Sequence, residues 1–300
     1  MKNKRIIRIA LICIVALIVL VLLFLPRLIA NTDDGKIKII AADFPSYDIA
    51  RALTDELDVN LHMIIKPGID LHSYDPTPQD IAAIQASDVF IYIGGESETW
   101  VDKITFSDKT LIIKLTNAVE TISESDDTDE PDEHIWTSPS NYLNMLSYTR
   151  VKLAKQFPDY TSQFTTNLSI YGEEIKAISQ QYRSASIIQP LIMADRFPFR
   201  YLANEYNLKY LATFPGCAEQ TEASAETITK LINAVKTNHT PYIYVLDMSS
   251  TKIAQTIADA TGAEIRTLYS GHNLSQSDYD AGMTMSDIYQ QNLDMLQESK

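Results

Sequence analysis

Cysteine is nearly absent from this 300-residue chain; Cys13 and Cys217 are the whole complement. Cys13 lies inside a long apolar run, so Cys217 has no partner in the remainder, and a disulfide-stapled scaffold is excluded. Basic residues are also few. The formal net charge is -14, which argues against a nucleic-acid partner, since phosphate contacts need a basic face. Short catalytic and metal signatures are missing too: there is no HExxH, CxxC or HxH pair, no P-loop and no dinucleotide fingerprint. The stretch "GGESET" approaches a nucleophile elbow, but Thr99 stands where its second glycine belongs.

Charge is unevenly distributed. The first 30 residues hold Lys2, Lys4, Arg5, Arg8 and Arg27 and no acid, and they enclose the apolar run Ile9 to Leu25. This layout predicts an uncleaved N-terminal membrane anchor with its basic end in the cytoplasm and the body outside. A cleaved signal segment is the alternative, although cleavage after Ala30 would put Leu28 at a position that prefers a small residue. A lipidated Cys13 is disfavoured because Ile12, not a small residue, precedes it.

Beyond a polar linker at 31–36, strand patterns alternate with helical ones. "KIKIIAADF", "VNLHMIIK", "DVFIYIGG" and "TLIIKLT" read as strands, and "PSYDIARALTDEL" and "TPQDIAAIQAS" as helices between them. An acidic, apolar-poor insertion at 120–133 reads as an exposed loop. It is not an EF-hand, because its alternating acids lack the central glycine. After Pro158, the residues Phe164, Leu168, Tyr171, Ile175, Ile178 and Tyr182 recur at helical spacing and predict one long amphipathic helix. Four more strand patterns follow, beginning near 186, 208, 241 and 264, and a helix closes the chain. The expected fold is α/β: two Rossmann-like lobes with mainly parallel sheets, joined by one long rigid helix, with a metal cleft between them. The boundaries are 37–157 for the first lobe, 158–185 for the linking helix and 186–300 for the second lobe.

Three of the five histidines fall in loops that follow strands or separate elements. His72 lies in "PGIDLHSYDPTP", framed by Pro67, Gly68, Pro76 and Pro78; His134 lies in "DEHIWTSP"; His272 lies in "YSGHNLS". Loops on a rigid scaffold are where site residues concentrate, and neutral imidazoles suit zinc, copper or nickel, with manganese and iron accepted beside carboxylates. Spacing alone does not separate this from ordinary loop histidines.

The Pro67–Pro78 stretch, the segment Gly95 to Trp100 and "DEHIWTSP" (132–139) together resemble the solute-binding proteins of zinc and manganese ABC transporters. The resemblance runs over about residues 36 to 300. It implies capture of Zn²⁺, or alternatively Mn²⁺, by an extracytoplasmic monomer that delivers the ion to a membrane permease. His72 and His134 match the family's first two ligands. The third ligand, usually His or Glu, maps to "MADRFPFRYL", where Asp195 is the nearest candidate and the register also admits Arg196. The fourth, usually an Asp near the final loop of the second lobe, falls in the neighbourhood of His272, so two ligands transfer directly and two do not. For Asp195 the competing reading is an ion pair with Arg196 or Arg200.

Cys217 reads as a buried small residue rather than a soft ligand, and Glu219 and Glu222 as a solvated loop. Two other functions compete with capture. One is a surface adhesin or interaction domain. The other is a metallohydrolase using Asp70, Asp75 or Glu133 as base, for which no signature argues.

Overall fold

The computed structural model describes residues 35–125, 129–214, 216 and 223–297. The expected anchor, Cys13, Cys217, Glu219 and Glu222 lie outside the described residues. No helix among the described residues is long and apolar enough to cross a membrane.

The first sheet is built from β1 (Ile37–Ala41), β2 (Val59–Met63), β3 (Val89–Tyr92) and β4 (Leu111–Lys114), in the order β2-β1-β3-β4 and parallel throughout. Helix α1 (Phe44–Leu53) connects β1 to β2; Asp43 caps it by accepting from the Ser46 amide, and Pro45 sits in its first turn. Helix α2 (Pro78–Gln85) connects β2 to β3 and opens with a capping box between Thr77 and Asp80. The inner strands β1 and β3 read as apolar runs because both faces are covered, whereas the edge strands β2 and β4 keep exposed positions. Ile39, Val89 and Ile91 face one core, while Ile40, Phe90 and Tyr92 face another.

Helix α3 (Pro139–Gln156) follows, and Pro158 separates it from α4 (Thr161–Ser184). At 1.5 Å per residue, the 24 residues of α4 span about 36 Å. The expected stripe is its inner face: Phe164, Tyr171, Ile175, Ile178 and Tyr182 are buried. Tyr142 and Tyr171 both donate to Asp48 Oδ2 at 2.6 Å, and Arg51 pairs with Oδ1 at 2.8 Å. One buried carboxylate thus pins α1, α3 and α4 together, its charge answered by the guanidinium.

The second sheet repeats the plan with β5 (Leu191–Arg196), β6 (Tyr210–Phe214), β7 (Tyr242–Leu246) and β8 (Glu264–Leu268), ordered β6-β5-β7-β8 and parallel. Helices α5 (Arg200–Tyr206), α6 (Ala225–Asn238) and α7 (Lys252–Thr261) make its crossovers; α8 (Gln276–Asp280) and α9 (Met285–Leu296) end the chain. The largest core runs through both halves: Ile39 and Trp136 belong to the same cluster as Met193 and Leu293. In both sheets the chain leaves the middle in opposite directions, β1 against β3 and β5 against β7, and a ligand crevice is expected at the carboxyl ends there.

One expectation changes. The acidic insertion is not exposed to its end: Ser123 bridges Pro131, and Asp132, Glu133 and His134 are all buried. Tyr201 on α5 donates to the Asp132 carbonyl at 2.7 Å, and the Ile122 amide donates to the Tyr201 hydroxyl. The loop's return limb is therefore folded between the lobes, although its composition is that of a solvated segment.

Candidate metal centre

His72 sits on a single turn, Leu71–Ser73, just past β2. The Asp70 side chain caps that turn by accepting from the His72 amide at 2.9 Å, so the prolines and Asp70 stiffen the loop before its side chain is used. The ring's Nδ1 lies 2.8 Å from Ser97 Oγ and 3.3 Å from Glu133 Oε1. Its Nε2 is buried and has no hydrogen-bond partner among the described residues.

His134 stands at the start of the turn Ile135–Thr137, with no capping bond from its side chain. Asp132 Oδ1 accepts from both its backbone amide (2.8 Å) and its Nδ1 (2.7 Å). An aspartate on Nδ1 holds the proton there, which leaves the Nε2 lone pair as the ligand position. Glu133, between them in sequence, turns to Ser97 and lies against Gly95; a Cβ on that glycine would stand 2.1 Å from Glu133 Oε2. The absence of a side chain at residue 95 is what admits the carboxylate.

His272 comes from the second half, after β8. Its loop is fastened to the first half on both sides. Trp136 Nε1 donates to the Ser270 carbonyl at 3.0 Å. The Asn273 amide donates to the carbonyls of Lys66 (2.7 Å) and Ile69 (2.8 Å), and the Gly68 amide donates to Leu274 (2.8 Å). Gly271 has φ +68 and packs tightly against Met285 and the Trp136 indole, so the backbone of that turn favours glycine. His272 Nε2 also has no hydrogen-bond partner among the described residues.

The three rings converge. Centroids lie 4.7 Å apart for His72–His272 and His134–His272, and 5.8 Å for His72–His134. One ligand atom each from His72, Glu133, His134 and His272 fits within a 4.8 Å span. Tetrahedral zinc at about 2.1 Å from each donor sets neighbours about 3.4 Å apart, so the group must draw in modestly to bind.

Electrostatics divides the imidazoles. Burial, then the neighbouring His134 and His72, pushes His272 well below its ordinary 6.5. Burial and His134 also lower His72, against the pull of Glu133. Burial pulls His134 down as well, but the Asp132 carboxylate on its Nδ1, with Glu133 beside it, more than reverses this and the net direction is up. Behind the site two carboxyls, Asp43 and Glu98, are buried beside each other; burial raises Asp43 to about 6 and Glu98 well above the usual range.

Three of the four expected residues are brought together. Asp195 is not among them. A register shift at the end of β5 turns its carboxylate onto backbone: Oδ1 accepts from the Arg196 amide at 2.8 Å and Oδ2 from Leu246 at 3.2 Å. Both oxygens are occupied in closing the strand ends. Arg196 instead faces the site, 3.8 Å from Asp70 Oδ2, and its charge helps hold His72 and His272 neutral. Glu133 enters the cluster unanticipated as a ligand. Its signal was its place in "DEHIW", where the family stretch carries proline.

A two-lobed α/β fold with imidazoles and a carboxylate gathered where its strand ends meet defines a metal-binding solute receptor. The family model described as zinc-uptake complex component A, periplasmic (ZnuA), matches residues 39–299, and the chain belongs to that family. It is 27% identical over 288 residues to the high-affinity zinc uptake system protein ZnuA of Bacillus subtilis, covering 90% of this chain and 89% of that protein. It is 28% identical to the zinc-binding lipoprotein AdcA of Streptococcus pneumoniae over 89% of this chain, though it spans only 56% of that longer protein. The crystal structure of the Zn(II)-bound ZnuA-like domain of S. pneumoniae AdcA superposes with a TM-score of 0.74 at 27% identity, covering 88% of this chain and all of that domain. The family consists of extracytoplasmic solute-binding components that work with an ABC-transporter permease; they are not enzymes.

Proposed function

We propose that this chain captures one divalent transition metal, zinc in preference to manganese, outside the cell membrane and passes it to its permease. The observation that carries the reading is the gathering of His72, Glu133, His134 and His272 donors within 4.8 Å. Three nitrogens and one carboxylate suit a tetrahedral zinc, whereas manganese favours oxygen-rich, six-coordinate sites. Arg196 beside the cluster opposes accumulation of further cations. The first lobe contributes His72, Glu133 and His134; the second contributes His272. Anchoring by residues 1–30 and a monomeric state belong to the same reading. The adhesin alternative leaves the converging histidines without a role.

The test is to strip the purified chain and reload it from a mixture of zinc, manganese, iron and copper. One equivalent of zinc, lost in His134→Ala, is the expected result. No stoichiometric metal in the parent chain refutes the proposal.

A further inference from the structure

Ser97 stands at the carboxyl end of β3, in the helical turns Glu96–Lys103. Its hydroxyl lies 2.8 Å from His72 Nδ1 and 2.5 Å from Glu133 Oε1, and its backbone amide donates to Glu133 Oε2 at 3.0 Å. One residue therefore touches two of the four proposed metal donors, from segments far apart in the chain. We infer that Ser97 is a positioning residue for metal capture, orienting His72 and Glu133 together. This rests on the capture reading and deepens it.

The direction of the hydrogen bonds follows from donor counting. A hydroxyl has one proton, and a carboxylate only accepts. The Ser97 proton goes to Glu133, and its lone pair accepts from His72 Nδ1–H. That sequence leaves His72 Nε2 unprotonated, and Nε2 is the buried ring atom with no partner among the described residues. Glu133 is held at both oxygens by the same serine and seated against Gly95. The metal thus meets a tautomer and a carboxylate already in place, and less order has to be created on binding. His134 obtains the same tautomer directly from Asp132; His72 obtains it through the hydroxyl.

The test compares the full-length parent chain, Ser97→Ala and Ser97→Thr. Zinc affinity is read by competition with a chelator, and the tautomer of His72 by ¹⁵N NMR of the histidine rings in the stripped protein. Ser97→Ala is expected to weaken zinc by about 10- to 100-fold and to mix the His72 tautomers. Ser97→Thr keeps the hydroxyl and restores both. A purely structural serine would show the opposite pattern: Ser97→Ala lowers the melting temperature while the tautomer stays put, which overturns the inference. Parent-like zinc affinity in Ser97→Ala also overturns it while leaving capture intact. A parent chain that takes no zinc sinks both, and the two failures are told apart by that control.

Discussion

The two lobes share a sheet plan but not a share of the site. In the first lobe His72, Glu133 and His134 each have a side-chain partner fixing them: Ser97 for the first two and Asp132 for the third. The second lobe supplies His272 alone, and there the bonds fasten the loop that carries the ring. Orientation is built in on one side and borrowed on the other. The second lobe aligns its donor by leaning on the first. A core continuous through both halves points the same way.

The largest effect is expected from deleting one donor from each lobe. His134→Ala should cost more than the roughly 100-fold upper range for losing an outer partner, because Asp132 is left buried without its ring. His272→Ala should cost less, since three oriented donors survive. Equal losses in chelator competition would mean that the lobes contribute alike.

A smaller effect is expected from Asn273→Ala. Two buried hydrogen bonds across the lobes are lost, at about 1 kcal/mol each, or up to about 30-fold in zinc affinity. The lost affinity should appear mainly as faster zinc release in stopped-flow chelation. An unchanged release rate would show that the loop does not need its fastening.

Proton competition sharpens the picture further. His134 is the one imidazole shifted upward from 6.5, whereas His72 and His272 are shifted down. As pH falls, His134 protonates first and its Nε2 stops accepting metal. Zinc affinity should therefore begin to fall above pH 6.5, at about tenfold per pH unit for one competing proton, and steepen only when His72 joins at lower pH. A fall that starts below 6.5 would assign the controlling proton to another ring.

The smallest effect on metal belongs to Asp195→Asn. Zinc affinity should stay within the scatter of a surface change, about 0.5 kcal/mol. Folding stability should drop by about 1–2 kcal/mol in a denaturant titration, because an amide cannot accept from both backbone donors as the carboxylate does. A large loss of zinc would return Asp195 to the site.

Much of this was legible in the chain. Strand and helix periods located the eight strands among the described residues and the linking helix, because a segment buried on one or both faces must repeat at its own period whatever surrounds it. The proline-framed loop and "DEHIW" marked His72 and His134, and position after a strand marked His272. Local pattern did not determine which carboxylate joins them. Asp195 and Glu133 are both acids beside plausible loops; one bulge turns Asp195 onto backbone amides, and one glycine across the fold makes room for Glu133. Ser97 carries no sequence signal at all, since its partners lie 25 and 36 residues away. Periodicity is a property of a segment and survives in one dimension. Convergence of donors depends on where distant strand ends meet, and only the tertiary structure decides that.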